Sequence, residues 1–375
     1  MISALIVAVT VLYLFAAIPI WLALFRKRED AAGESLSSAS VVICARDEER
    51  DLPACLESLE RQKLTRTDSQ NIEVILVDDL SEDRTAQIME AYSRESRYPV
   101  RVIRMEPPAA GEKTGKWRPL KAGMEAARNE GLLLTDADAV LPSEWVEKHL
   151  EYLGDAEAAA GFALIEGEGL WGRIQSLDWL FLLGVGSGLN QLRVPQAALG
   201  KNLSVRRAAY LEAGGFGKIG FSLTEDLALV QAICRNGGRL RFPLDSGMMV
   251  STPAVRTWGE FVHQRKRWAS GVKRLKPVGK LCIEVMVIRQ FALLVAIFAG
   301  APEAFWCWLL TAGVNFLILQ RITSRLGLSR QLGYFPFWEI YYIASAPILA
   351  ISFLLDRQVV WKGRKFTRTR TAFNE

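Results

Sequence analysis

The chain has 375 residues, 50% hydrophobic and 23% charged, and 46 Lys and Arg against 41 Asp and Glu give a net charge of +5. So large an apolar share excludes a disordered chain. The modest positive charge, clustered near apolar segments, suits anionic headgroups or a diphosphate better than nucleic acid. This much apolar and charged material must be segregated along the chain, as in membrane segments flanking a soluble domain.

Residues 2–25, "ISALIVAVTVLYLFAAIPIWLALF", carry no charge, and ~20 apolar residues in a helix cover a bilayer core. No basic residue precedes the run and "RKR" follows it, so it reads as a transmembrane anchor rather than a signal peptide. The positive-inside rule then places Arg26, Lys27, Arg28 and the 26–280 region in the cytoplasm. Five cysteines, Cys44, Cys55, Cys234, Cys282 and Cys307, show no paired metal spacing and read as reduced structural thiols.

After a polar linker, "VVICA" at 41–45 predicts a buried strand. "DLPACLESLERQ" follows with Leu52, Cys55, Leu56 and Leu59 on one helical face and Pro53 in the first turn. "NIEVILVDDLSEDRTAQIMEAY" repeats the arrangement as a strand over 72–77, a turn bearing Asp78 and Asp79, and a helix opening near Ser81. "VRVIRM" predicts a strand, 117–129 a helix, and "GLLLTDADA" a strand ending in acids. Such alternation implies a mostly parallel sheet with right-handed crossovers. Ligands of such sheets bind beyond the carboxyl ends of the strands, where these acids lie.

Residues two apart on a strand share a face, so Asp136 and Asp138 can converge on one object, with the small Ala137 between them. Solvated turn acids would give the same pattern. Two carboxylates at a sheet edge suit a hard divalent cation, Mg²⁺ or Mn²⁺, bridging to phosphate oxygens. "AGEKTGKWRPLKAG" brings Lys113, Lys116, Arg118 and Lys121 to a helix N-terminus, which favours anions. It has neither the Walker G-K-[ST] nor a G-x-G-x-x-G, which disfavours a P-loop or a dinucleotide site. Glu225 and Asp226 open a helix after Thr224, where acids often only complement the helix dipole. A very apolar helix over 171–190 is either buried core or a surface for an amphiphile.

Three further apolar stretches, 281–300, 304–320 and 334–355, close the chain. Three crossings would put the basic tail "WKGRKFTRTR" outside, so residues 276–290, with Lys276, Lys280, Glu284 and Arg289, either cross or lie along the interface. Paired ionisable residues inside these stretches would favour a transporter; Glu303 and Glu339 fall at expected helix ends, and Arg289 is the one deep candidate.

Taken in order, "CARDEERDLPACLESLERQ", "VDDLSED", "GKWRPLKAG", "DAD", "TED" and "QRKRW", followed by apolar helices, resemble the membrane-bound family 2 glycosyltransferases. The resemblance covers about 41–270 and implies an α/β GT-A nucleotide-sugar-binding domain with N-terminal and C-terminal membrane helices. It implies an anchor at 1–25, a linker at 26–40, a cytoplasmic GT-A domain at 41–275, interfacial and transmembrane helices at 276–357 and a basic tail at 358–375. It assigns Ala45, Asp47, Glu48, Asp78 and Asp79 to the uridine, Lys116 to the diphosphate, and Asp136, Ala137 and Asp138 to nucleotide and metal, with Asp136 and Asp138 as metal ligands. Asp226, with Glu225 beside it, would be the general base of an inverting transfer, and Asn202 would lie near the donor sugar. Gln264 and Arg267 would close on the diphosphate and Trp268 would be a flat acceptor platform, whereas Arg265 and Lys266 read as a juxtamembrane basic belt. Pro119 and Lys121 depart from the family pattern. The implied partners are a nucleotide-sugar, read as a UDP-sugar, a lipid or lipid-linked acceptor and the membrane, with no nucleic acid. Non-processive transfer fits so few apolar segments better than a processive polysaccharide synthase. A nucleotide-sensing membrane scaffold or transporter is the non-enzymatic alternative.

Overall fold

The structure, a computed structural model, describes residues 2–26, 33–109, 115–194, 200–222, 224–271, 275–355, 358–361, 364–368 and 373–374. Lys113, Lys27, Arg28 and part of the basic tail lie outside them. In chain order the elements are α1 (Ile2–Ala23), β1 (Ala39–Ala45), α2 (Leu52–Glu60), β2 (Ile72–Asp78), α3 (Thr85–Glu95), β3 (Val100–Arg104), α4 (Trp117–Ala126), β4 (Gly131–Asp136), α5 (Trp145–Leu153), β5 (Ala158–Ala160) and β6 (Ala163–Glu166). There follow α6 (Gly169–Gln191), β7 (Asn202–Arg206), α7 (Arg207–Glu212), α8 (Gly215–Ile219), α9 (Glu225–Arg235), β8 (Leu240–Arg241), β9 (Val250–Pro253), α10 (Trp258–Gly271), α11 (Pro277–Phe298), α12 (Glu303–Arg325) and α13 (Phe335–Leu355).

These elements form two compact units that do not follow chain order. One comprises residues 28–164, 198–253 and 360–375, and the other comprises 1–27, 165–197 and 254–359. The 41–275 segment expected as one domain is therefore divided, because α6 and α10 cluster with the apolar helices.

In the first unit a seven-stranded sheet runs β3-β2-β1-β4-β7-β5-β8. The pairs β1–β2, β2–β3, β1–β4 and β5–β8 are parallel, and β7 is antiparallel to both β4 and β5. The β-branched runs make these strands because both faces are covered; Val41, Ile43, Val74, Ile75 and Leu133 are fully buried. On α2, Leu52, Cys55, Leu56 and Leu59 form the buried face, as their spacing predicts. Each such side chain contributes roughly 1.5–3 kcal/mol by leaving water. The strand order reverses at β1, whose neighbours are β2 and β4, and a ligand crevice opens beyond the carboxyl ends at such a switch point. Register aligns the chemistry there: Ala45 pairs with Asp78, and Cys44 with Asp136. A Cβ on Gly123 would come within 2.5 Å of Val42 Cγ1, so glycine lets α4 approach β1 closely.

The second unit is built from long helices. Of the described helices, α1, α11 and α12 are long and apolar enough to cross a membrane, and α11 is continuous through the stretch for which crossing or interfacial placement was open. Phe15, Phe298 and Trp306 are largely exposed, at 81%, 87% and 63%, which suits hydrocarbon rather than water. Polar groups join the helices inside: the Arg289 guanidinium contacts Thr311 Oγ1 and lies 3.3 Å from Glu339 Oε1. Asn315 Nδ2 donates to Glu339 Oε2 at 3.0 Å and Tyr13 donates to Asn315 Oδ1 at 2.5 Å. Arg289 and Glu339 are thus an ion pair, 1% and 2% exposed, linking α11, α12 and α13.

Candidate active site

At the ends of β1 and β2 the two loops lock together. Asp47 Oδ1 accepts from Glu82 N at 2.9 Å, Asp47 N donates to Ser81 Oγ at 3.1 Å, and Glu48 N donates to Thr85 Oγ1 at 2.8 Å. Asp79 N donates to Ala45 O, and Arg46 Nη1 donates to Asp79 O. Asp47 and Leu80 both take positive φ, at 52° and 61°. Left-handed backbone at non-glycine residues is strained and concentrates where a ligand must be gripped. Ala45, Asp47, Glu48, Asp78 and Asp79 are therefore brought to one edge of the sheet, with Asp78 and Asp79 buried and Asp47 exposed.

Beside them, β4 carries Asp136 and the turn after it carries Ala137 and Asp138. Two lysines hold this pair. The Lys116 ammonium contacts Asp136 Oδ1 and lies 4.0 Å from Glu225 Oε1, bridging the end of β4 to the start of α9. Burial pushes this ammonium towards neutrality, but Asp136 and then Glu225 outweigh burial and hold its pKa above the ordinary lysine range. Lys201 Nζ lies 3.2 Å from both carboxylate oxygens of Asp138, 3.8 Å from Asp136 Oδ2 and 2.8 Å from Thr252 Oγ1. Sequence reasoning missed Lys201 because its place comes from antiparallel pairing. Thr135 pairs with Asn202, which sets Lys201 opposite Asp136, and Thr135 Oγ1 donates to Lys201 O at 3.0 Å.

Asp226, in the first turn of α9, is fixed by backbone donors: Gly200 N donates to Oδ2 at 2.7 Å and Leu227 N to Oδ1 at 2.8 Å. A Cβ on Gly200 would stand 3.3 Å from Asp226 Oδ2, so glycine suits this close approach. Glu225 beside it is 8% exposed. Below the site, burial pushes the Cys44 and Cys55 thiols far above their ordinary pKa, which keeps them protonated and suits structural thiols. All five cysteines are free.

Asn202 corrects an expectation. It is fully buried, and its side chain is spent on the protein. Nδ2 donates to Phe162 O at 2.7 Å and Met248 O at 2.5 Å, while Oδ1 accepts from Trp145 Nε1 and His149 Nε2, both at 2.9 Å. An amide has two donors and two lone pairs, so nothing remains for a donor sugar. Because Asn202 Oδ1 can only accept, His149 carries its proton on Nε2, and Nδ1 accepts from Ser204 Oγ at 2.7 Å.

In the helical unit, α10 presents the glutamine, arginine and tryptophan of the last motif. Gln264 Oε1 is buried and accepts no hydrogen bond from the described residues, and Arg267 is half-buried. Arg265 and Lys266, expected in a juxtamembrane basic belt, are buried within the protein, at 6% and 2% exposure. Arg265 reaches inward because Asp178 pairs with it at 2.6 Å and the rings of Trp268 and Phe261 flank it at 4.4 and 4.7 Å. Trp268 also stacks on Trp179 at 4.1 Å with planes 26° apart. The indole thus packs against both Trp179 and the Arg265 guanidinium. The indole expected as a flat platform is therefore partly engaged by protein groups, and Trp268 is half-buried.

The fit of a divalent cation rests on the oxygen donors. Among the described residues no group of three or more His, Cys, Asp or Glu side chains could hold a metal ion. Asp136 and Asp138 nonetheless converge on one compact cation, the Lys201 ammonium, with Thr252 Oγ1 as a further oxygen. Two hard carboxylates fit Mg²⁺ or Mn²⁺, which commonly take one or two from the protein and complete their shell with substrate phosphates and water.

The profile of "Glycosyl transferase family 2" matches residues 40–206, and that of "Glycosyl transferase family group 2" matches residues 131–355, more than half of the chain. The chain belongs to this glycosyltransferase family. The probable glycosyltransferase YdaM of Bacillus subtilis is 25% identical over 245 residues, 64% of this chain and 56% of that protein. The dolichyl-phosphate beta-glucosyltransferase of Drosophila melanogaster is 36% identical over 119 residues, 30% of this chain and 34% of that protein. The family member spans between 14% and 56% of the length of the curated relatives it matches. Among solved structures, the mannosyltransferase PcManGT from Pyrobaculum calidifontis, in complex with GDP-Man and Mn²⁺, superposes with a TM-score of 0.61 at 16% identity. That match covers 91% of this chain and 99% of PcManGT, and it shows the shared GT-A fold.

Proposed function

We propose that the protein transfers a sugar from a nucleotide-sugar, read as a UDP-sugar, to a hydroxyl of a lipid or lipid-linked acceptor, with inversion and without processivity. The observation carrying this reading is the Asp136–Lys116–Glu225 bridge beside Asp226, which gathers a cation, the first D-x-D acid and a fixed carboxylate at the switch point of the sheet. Ala45, Asp47, Glu48, Asp78 and Asp79 hold the nucleoside in this reading, and Lys116 faces the diphosphate. Asp136 and Asp138 would hold Mg²⁺ or Mn²⁺, which when bound stabilises negative charge on the leaving phosphate.

Asp226 accepts the proton of the acceptor hydroxyl as that oxygen bonds to the anomeric carbon. The bond from that carbon to the phosphate oxygen breaks, its electron pair leaves with the nucleoside diphosphate, and one displacement inverts the centre. Two backbone N–H groups fix one carboxylate for that task, and the scheme needs no carboxylate nucleophile. Gln264 and Arg267 act on the diphosphate and Trp268 meets the acceptor by family resemblance. The three candidate spans support a membrane enzyme, the basic residues after α1 favour a cytoplasmic catalytic unit by the positive-inside rule, and the Drosophila relative's dolichyl phosphate supports a lipid-linked acceptor. The buried Arg289–Glu339 pair, a feature also expected of a transporter, serves here as a tie between helices.

Asp226→Asn tests the base. It should abolish transfer while nucleotide binding, read by calorimetry, persists. A transfer-competent Asp226→Asn protein would remove Asp226 from that role.

A further inference from the structure

We propose that Lys201 is a built-in counter-cation for Asp136 and Asp138, holding the position of a divalent cation in the donor-free protein and moving to the diphosphate when a nucleotide binds. The inference rests on the nucleotide-sugar reading above and assigns a positioning residue within it. Lys201 Nζ meets Asp138 Oδ1 and Oδ2 at 3.2 Å each, Thr252 Oγ1 at 2.8 Å and Asp136 Oδ2 at 3.8 Å. Thr252 Oγ1 also donates to Asp138 Oδ2 at 3.1 Å, closing a ring of contacts around the ammonium. An ammonium has three donors and no acceptor, and here each donor has an oxygen to meet.

Chain geometry makes the arrangement specific. Lys201 immediately precedes β7, whose pairing with β4 fixes its backbone opposite Asp136. The adjacent Gly200 N–H is engaged by Asp226, so the backbone is held between the acid pair and the candidate base. The long side chain is the part free to swing. Left alone, Asp136 and Asp138 would repel each other, and Lys201 relieves that repulsion. A divalent cation between the same carboxylates would displace a charge of like sign, and an arriving diphosphate supplies the displaced ammonium with new oxygens. Metal and nucleotide should therefore bind with positive coupling through Lys201.

The experiment measures Mn²⁺ affinity of the full chain in detergent by electron paramagnetic resonance, with no nucleotide and with saturating UDP or GDP, for wild type, Lys201→Met and Lys201→Arg. Lys201→Met should bind Mn²⁺ at least ~10-fold tighter than wild type without nucleotide, and nucleotide should raise its Mn²⁺ affinity less than it raises that of wild type. Lys201→Arg keeps the charge and should behave as wild type. If Lys201→Met does not fold, the neutral, polar Lys201→Gln should tighten Mn²⁺ binding in the same sense. Equal Mn²⁺ affinities in wild type and the neutral variant, with nucleotide-dependent binding in both, would overturn the counter-cation role and leave the functional reading standing. Absence of Mn²⁺ and nucleotide binding in both folded proteins would overturn the functional reading and this inference with it.

Discussion

Asn202→Ala separates a structural hub from a sugar contact. The substitution strands two donors, Trp145 Nε1 and His149 Nε2, and two acceptors, Phe162 O and Met248 O, in a site with no solvent exposure. An orphaned buried polar group costs about 1–3 kcal/mol, so four imply a loss of at least about 4 kcal/mol against a total stability of roughly 5–15 kcal/mol. At about 2 °C per kcal/mol for a chain of this size, the melting temperature should fall by roughly 8 °C or more. Trp145→Phe strands one lone pair of Asn202 and should cost about 1 kcal/mol, or roughly 2 °C. Both are read by thermal melts of the detergent-purified protein followed by intrinsic fluorescence or limited proteolysis. An Asn202→Ala protein that melts with wild type yet loses donor affinity would refute the hub and restore the sugar contact.

His149 makes stability depend on acidity. Burial lowers its pKa to about 4, with the Asn202 hydrogen bond opposing that shift, against about 6.5 for an unfolded histidine. Between those values the unfolded chain binds the proton and the folded one does not. His149 therefore contributes nothing above about pH 6.5, and as pH falls towards 4 it removes up to about 3 kcal/mol. His149→Gln should flatten that part of the stability profile, and an unchanged acid slope would refute the assignment. Arg289→Met leaves Glu339 buried without its cation and should cost about 3–5 kcal/mol in detergent melts, while adding Glu339→Gln recovers much of the loss. Additive losses in the double variant would show that the pair is not coupled. Arg265→Leu removes the guanidinium packed against Trp268 and strands Asp178. It should lower stability by about 3 kcal/mol or more, and a melt equal to wild type would contradict the buried pair.

Strands β1, β2 and β4 are legible in the sequence because they are β-branched runs buried on both faces, and their carboxyl ends identify Asp78, Asp79, Asp136 and Asp138 as neighbours. The amphipathic spacing of α2 is equally plain. What pairs antiparallel is not, since β7 carries no local mark of which strand it joins. Lys201 and Asn202 therefore escaped a correct reading: one reaches the acid pair and the other turns into the core. Charge alone also misled at α10. Arg265 and Lys266 resemble a juxtamembrane belt in one dimension, but Asp178, far away in sequence, draws Arg265 inside. Membership of α6 and α10 in the helical unit follows from packing partners that neither stretch announces.

The most direct measurement is release of nucleoside diphosphate by the detergent-purified protein with Mn²⁺ or Mg²⁺, across a panel of UDP-sugars and GDP-mannose, with and without a lipid extract as acceptor. A transferase of this kind should show metal-dependent release from a preferred donor that rises when lipid is added, yields a glycolipid of inverted anomeric configuration, and disappears in Asp226→Asn. Metal-dependent nucleotide binding without release from any donor, whatever the lipid supplied, would contradict it and leave a nucleotide-sensing membrane protein in its place.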